Sequence, residues 1–406
     1  MKKFDIPDFF RSSIISEIKQ RRKLDDPRKK DFAPTILDFG PVQFIIARHF
    51  GFCYGVENAI DIAYKAIDEN PGKKIFLLSE MIHNPLVNDD LRKRGINFIM
   101  DNYGNPLLNW NEVDSNDVVI IPAFGTTIET ENILREKGID PVRYNTTCPF
   151  VERVWSRAEA LGEQNFTVII HGKAVHEETR ATFSHTTEKT KAVVVRDLDE
   201  AAYLSKIILD EIHTDEFYKF FSLKYSAGFD VGIDLERLGV VNQTTMLASE
   251  TLAISELLRE TMIKKYGEEN IKDHFADTRD TLCYATNDNQ SATQALIKEN
   301  ADLALVIGGY NSSNTTHLYE ILEKVMPVYF ISGSEKIKSQ KTISHFNIHN
   351  RSEDTTENYL PETFPVKIAV TSGASCPDSV VDDVLKKILS FYGNVKNVED
   401  ITGGLK

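Results

Sequence analysis

The sequence predicts an α/β protein built from several small parallel sheets, and three observations predict it. A short apolar run, a loop rich in Gly, Ser, Thr, Asn or His, and an amphipathic segment of helical spacing follow one another repeatedly along the chain. The apolar runs are continuous rather than alternating, the pattern of strands buried on both faces. At 406 residues, 41% hydrophobic and 27% charged, the chain has the composition of an ordinary globular protein and the length for two or three domains.

Residues 1–42 read as a polar arm packing across the body, with the basic cluster Lys19-Gln20-Arg21-Arg22-Lys23. Its acids Asp5, Asp8, Glu17, Asp25 and Asp26 argue against an organellar transit peptide, and the apolar segment of a signal peptide is missing. Phe44-Ile45-Ile46-Ala47 is the first apolar strand. It hands over at Gly51-Phe52-Cys53-Tyr54-Gly55-Val56 to a helix whose apolar face is Val56, Ala59, Ile60, Ala63, Ala66 and Ile67. The unit recurs with strands at 74–78 before His83-Asn84-Pro85, at 118–121 before Pro122-Ala123-Phe124-Gly125, and at 167–170 before His171-Gly172. It recurs again at 239–241 before Asn242-Gln243-Thr244-Thr245, at 303–307 before Gly308-Gly309, and at 366–370 before Thr371-Ser372-Gly373. The less regular segment 200–238, with Phe217, Tyr218, Phe220 and Phe221, reads as an insertion without chemistry of its own. In parallel sheets ligands gather at the carboxyl ends of strands, and these polar loops all fall there, so the site is expected to draw on several sheets.

Forty-seven basic against 61 acidic side chains give a net charge of -14, which argues against a general binder of nucleic acid or anionic membranes. An anionic ligand needs a locally prepared site. No apolar run approaches the roughly 20 residues of a membrane span, and a cytoplasmic protein is expected. Four cysteines without a C-x-x-C pair are too few for a disulfide scaffold and are read as buried thiols, nucleophiles or ligands.

Cys53, Cys148 in Asn-Thr-Thr-Cys-Pro-Phe, and Cys283 in Thr-Leu-Cys-Tyr-Ala-Thr each stand at an expected helix start, with Pro149 fitting the first turn after Cys148. Free N–H groups and the helix dipole there favour a thiolate. Any one of the three could be a small buried apolar residue. Together they suit zinc or an iron-sulfur cluster, and three protein ligands leave a coordination position open for Lewis-acid work. Cys376 follows a different loop and is read as a small side chain.

Gly308-Gly309-Tyr310-Asn311-Ser312-Ser313-Asn314 and Thr371-Ser372-Gly373-Ala374-Ser375 link buried strands to helices and look built for phosphate, through close backbone approach, hydroxyl and amide donors and helix N-termini. Neither is a P-loop, and no G-x-G-x-x-G fingerprint occurs. Turn and capping roles are the plain alternative for any single Ser or Asn. In the stretch from His171 to Thr179, His176 and Glu178 on an irregular loop could bind an anion and deliver a proton, with capping as the alternative. His83 and Thr244, also at strand ends, face the same two readings.

Taken together, Gly-Phe-Cys-Tyr-Gly-Val, Ile-His-Asn-Pro, Thr-Thr-Cys-Pro, His-Glu-Glu-Thr, Asn-Gln-Thr-Thr-Met-Leu, Asn-Ser-Ser-Asn and Ser-Gly-Ala-Ser closely resemble the 4-hydroxy-3-methylbut-2-enyl diphosphate reductase family over residues 43–380. The lead-in Phe10-Arg11-Ser12-Ser13-Ile14-Ile15 and the insertion around Gly228-Phe229-Asp230 resemble its longer plant and cyanobacterial branch. The resemblance implies three α/β domains (43–148, 149–279 with the insertion, and 280–380) in pseudo-threefold arrangement around a central 4Fe-4S cluster, plus the arm and a segment 381–406 packing back on the body. It implies Cys53, Cys148 and Cys283 as cluster ligands, and His83, His176, Ser312, Ser313, Asn314 and Ser375 as diphosphate contacts. Thr244 is implied as partner of the substrate hydroxyl and Glu178 as proton source. The implied reaction is reductive loss of that hydroxyl as water, giving isopentenyl and dimethylallyl diphosphate at the end of the non-mevalonate pathway, with ferredoxin or flavodoxin as electron donor. Two positions depart from many relatives: Phe124 stands where they have a histidine donor, and Glu177 where they have proline. The rival readings are a non-catalytic zinc- or cluster-binding protein with a phosphate-sugar pocket, and a plain α/β phosphate-ligand enzyme with buried cysteines.

Overall fold

A computed structural model describes residues 4–28, 30–276, 281–397 and 401. The described strands form one seven-stranded and two three-stranded sheets, in two compact units. One unit comprises residues 1–57, 83–86 and 284–406, the other 58–82 and 87–283. The expected boundary at 279/280 lies outside the described residues. No helix among them is long and apolar enough to cross a membrane.

In the first unit, Val42–Ile46, Val366–Ser372, Leu303–Ile307 and Val328–Ile331 lie side by side in parallel, with Val370 opposite both Ile46 and Leu305. Successive residues of a strand face opposite sides. Phe44, Ile46, Leu305, Ile368 and Val370 therefore enter one core with Val381, Leu385 and the arm residues Ile14, Ile15 and Ile18. Ile45, Ala304, Val306, Phe330 and Ala369 enter another with Leu296, Leu318 and Leu322. Both faces are dry, so the strands read as unbroken apolar runs. The strand Val42–Ile46, which the expected boundaries divide between the end of the arm and the start of the first domain, thus pairs with Val366–Ser372 of the last. Antiparallel additions close the sheet at both edges: Thr35–Asp38 on Val42–Ile46, and the hairpin Thr342–Asn347 with Ser352–Glu357.

In the second unit, Ile75–Leu77 lies between Ile96–Phe98 and Val118–Ile120, and Thr167–His171 between Ala192–Val195 and Leu238–Asn242, all parallel. Each strand read from its apolar run is present. Of the strands not read, Ile96–Phe98 is short and Ser352–Glu357 polar, whereas Ala192–Val195 and Val328–Ile331 are apolar and buried. The 200–238 aromatics have a packing role: Phe217 and Phe221 are fully buried, and Phe229 stacks on Phe217 at 5.0 Å. Phe217→Ala would leave a cavity among these rings and is expected to cost about 3–5 kcal/mol, read as a lower urea midpoint. A loss below about 1 kcal/mol would show that the segment contributes little to the core.

Candidate active site

Each of the three cysteines directly precedes a helix. Cys53 leads into Tyr54–Glu69, its carbonyl accepting from Glu57 N at 3.0 Å, and Cys283 leads into Tyr284–Leu296. Cys148 is the N-cap of Pro149–Glu163, with Pro149 at the first helical position as expected. All three are thiols, half-buried, whereas Cys376 is wholly buried in apolar core.

The second unit holds the acid. Strand Thr167–His171 ends in a tight passage to the helix Glu177–Thr187, so His176 and Glu178 belong to a helix start rather than an irregular loop. His176 caps that helix, its Nδ1 accepting from Glu178 N at 3.2 Å. A neutral imidazole that accepts at Nδ1 carries its proton at Nε2, which leaves a donor on the far side of the ring. The ring of Phe124 meets His176 edge-on, centroids 5.6 Å apart. Glu178, about 1% exposed, is gripped at both oxygens by one residue. Thr244 N donates to Oε1 at 2.5 Å, and Thr244 Oγ1 lies 3.0 Å from Oε2.

Thr244 also ties the acid to a cysteine, since its carbonyl accepts from Cys283 N at 3.3 Å. Cys148 is close enough for the charges of Cys283 and Glu178 to bear on it. Burial pushes its thiol up to about 12, and these two negative groups add to the effect. The Phe150 and Val151 amides pull the other way without prevailing. Burial thus opposes the thiolate that the helix start favours, and a cation beside the sulfur would favour it again.

The first unit holds the two glycine loops, and they meet. Asn314 Oδ1 accepts from Ala374 N at 3.1 Å, and Ser312 Oγ caps the helix Ser313–Leu322. Ser375 Oγ donates to the carbonyl of His83 at 3.1 Å. A Cβ on Gly309 would lie 2.3 Å from that same carbonyl, so only glycine lets the loop close on the His-Asn-Pro segment. His83, Ser312, Ser313, Asn314 and Ser375 are thereby gathered in one unit and are all buried. Cys53 adjoins them, its amide donating to Ala374 O at 3.2 Å. Asn314 Nδ2 is buried without a hydrogen-bond partner among the described residues, a donor suited to an anionic oxygen.

Three supporting residues escaped the sequence reading. Thr315 Oγ1 fills the space that a Cβ on Gly373 would occupy, 1.9 Å away, and lies 2.8 Å from the position of one on Gly308. Gln243 Oε1 accepts from Lys173 N and Thr179 Oγ1, fixing the passage before Glu178. Asn242 Oδ1 accepts from Thr281 N and Oγ1, securing the chain two residues before Cys283. Each lies inside or beside a motif, but its partner is distant in sequence and nothing local reveals it.

Among the described residues no three His, Cys, Asp or Glu side chains converge closely enough to hold a single metal ion. A multi-iron cluster is wider than one ion and takes thiolates that stand further apart. The chemistry of the donors fits one: each cysteine is a half-buried thiol at a helix start, and Cys148 has both Cys283 and the acid Glu178 in electrostatic reach.

The family described as LytB protein matches residues 44–389. A 4-hydroxy-3-methylbut-2-enyl diphosphate reductase of Trichormus variabilis is 42% identical over 94% of this chain and 90% of its own. That of Prochlorococcus marinus (strain AS9601) is 41% identical over 94% and 95%. In fold, the chain is similar to the E-1-hydroxy-2-methyl-but-2-enyl-4-diphosphate reductase of Plasmodium falciparum, with a TM-score of 0.60 at 21% identity, covering 87% of this chain and 93% of that one.

Gly309→Ala is expected to cost about 1–3 kcal/mol through the clash with the His83 carbonyl, measured by urea unfolding. An unchanged midpoint would mean that the loop has room to spare. The raised thiol makes the metal-free protein sensitive to alkali. The folded state holds its proton to higher pH, so stability is fully present below the ordinary thiol pKa of about 8.5 and is lost as pH climbs towards about 12. The urea midpoint should fall from pH 8.5 to 10, and less steeply in Cys148→Ala; equal slopes would refute the assignment.

Proposed function

This chain belongs to the LytB family of 4-hydroxy-3-methylbut-2-enyl diphosphate reductases, and from that premise we propose its place on the longer plant and cyanobacterial branch, its reaction and its residues. The substrate is 4-hydroxy-3-methylbut-2-enyl diphosphate. Two electrons and two protons replace its C–OH bond by C–H and release water, giving isopentenyl and dimethylallyl diphosphate, the last step of the non-mevalonate pathway. The observation that carries the reading is the grip of Thr244 on both oxygens of buried Glu178, with the Cys148 thiol in electrostatic reach of that acid and Cys283 hydrogen-bonded through its amide to the Thr244 carbonyl.

Cys53, Cys148 and Cys283 are the proposed ligands of a 4Fe-4S cluster, which when bound supplies the electrons and an open Lewis-acidic iron. The division into domains 43–148, 149–279 and 280–380, with arm 1–42 and tail 381–406, belongs to the same proposal. So do a ferredoxin or flavodoxin electron donor and a cytoplasmic location.

The diphosphate is held by His83, Ser312, Ser313, Asn314 and Ser375, and by the Nε2 proton of His176. Asn314 Nδ2 supports this assignment, because a buried amide donor without a partner gains a full hydrogen bond when an anion arrives. Phe124 contributes no donor, at a position where the family resemblance gives many bacterial members a histidine and the plant-like branch a phenylalanine, and its ring packs edge-on against His176. At the other end of the substrate, Thr244 Oγ1 can pass a proton in one direction. With the acid protonated at Oε2, the hydroxyl accepts from Glu178 and donates to the departing oxygen. Loss of water then needs no free hydroxide. The backbone N–H on Oε1 holds the carboxyl plane while Oε2 exchanges its proton.

Anaerobic reconstitution tests the cofactor: a brown chain with about four irons and matching sulfide is expected, and a colourless zinc-loaded one would overturn the reading. Glu178→Gln keeps the shape and removes the proton. Turnover with a chemical reductant should fall by about 10²- to 10⁴-fold at unchanged iron content. Full activity would take Glu178 out of the mechanism.

A further inference from the structure

The basic stretch of the arm has no part in the chemistry above, yet it lies against the turn that carries Cys53. Lys19, in the helix Ser13–Asp25, donates from Nζ to Asp378 Oδ1 at 2.7 Å. Asp378 is the first residue of the helix Asp378–Leu389, directly beyond the loop that ends at Ser375. The pair is not a loose surface contact, with side chains 34% and 18% exposed. Gly51 sits at φ +76°, and a Cβ there would lie 2.4 Å from Asp378 Oδ1 and 2.9 Å from Lys19 Nζ. The ion pair therefore lies directly against the main chain of the turn, at a position whose positive φ favours glycine. The Lys19 ammonium also lies over the Phe50 ring, 4.7 Å from its centroid.

The arm grips both neighbours of Cys53 as well. Phe10 meets Phe52 edge-on at 5.8 Å, and Phe4 meets Tyr54 edge-on at 5.1 Å. Cys53 itself donates its amide to Ala374 O in the second glycine loop. Anchoring the arm does not require the ion pair, because Ile14, Ile15 and Ile18 are already buried with Val381 and Leu385. A charge-assisted contact at the edge of such a seam adds direction rather than adhesion.

We propose that Lys19 and Asp378 are a positioning pair that clamps the arm onto the turn at residues 50–54 and so holds Cys53 against the 371–375 loop, in place for its metal. The metal clause rests on the reading of Cys53 as a ligand; the clamp does not. The test uses the reduced, metal-free full chain, with alkylation of Cys53 and Cys148 by iodoacetamide followed in the same molecules by mass spectrometry. Lys19→Met should speed Cys53 by about 5-fold or more and leave Cys148 within about 2-fold, since local opening exposes one thiol and global opening exposes both. Lys19→Arg should restore the wild-type ratio, and Asp378→Asn should reproduce Lys19→Met, which also covers the case of a poorly folding lysine variant. After reconstitution, Lys19→Met should lose iron to a chelator faster than the wild type. Equal acceleration of both thiols, or of neither, overturns the clamp. A full iron complement in Cys53→Ser would remove the ligand reading, while the alkylation ratio, read without metal, still decides the clamp.

Discussion

Because Val42–Ile46, Val366–Ser372 and Leu303–Ile307 run parallel and in register, their carboxyl ends emerge together, and so do the turn of Cys53 and both glycine loops. Parallel pairing demands long crossovers, and the chain uses these to bring residues more than 200 positions apart onto one edge. Burial of both faces holds the register, for a one-residue slip would turn every apolar side chain to the wrong core. The parallel sheets of the second unit do the same for Glu178 and Thr244, at the ends of Thr167–His171 and Leu238–Asn242.

Electrostatics at the cysteines and at the phosphate loops have one logic. The chain carries a net charge of -14, and the proposed diphosphate contacts include no lysine or arginine. Anion binding is left to amides, hydroxyls, imidazole and helix starts, which act over short range and only on a ligand that fits. At Cys148 burial works against charge, so the thiolate depends on the cation that it binds. Neither site is a standing charge waiting for a partner, and each gains its favourable electrostatics only when its ligand is in place.

Glycine and threonine carry much of the geometry. Gly309 admits the His83 carbonyl, Gly51 admits the Lys19–Asp378 pair, and Gly373 makes way for Thr315 Oγ1. Gly51, two residues before Cys53, leaves room beside the main chain of the turn. At Gly51 that room is taken by an aspartate and a lysine of the same unit, and the positive φ fixes the turn. Thr244 serves at once as clamp of the acid and as support of Cys283.

The sequence by itself determined the parallel α/β class, the strand at each apolar run that precedes one of the motif loops, the helix after each of Cys53, Cys148 and Cys283, and the family. These properties are local: periodicity, capping residues and contiguous motifs survive in a one-dimensional string. Tertiary structure alone decided that strand 42–46 joins the sheet of the C-terminal strands, because pairing partners leave no mark in either strand's own sequence. It also decided that His176 caps a helix while Phe124 packs on it, that Thr244 meets both oxygens of Glu178, and that burial raises the Cys148 thiol. Contacts between distant residues and the loss of water around a group come into being only when the chain closes, so no spacing rule could have announced them.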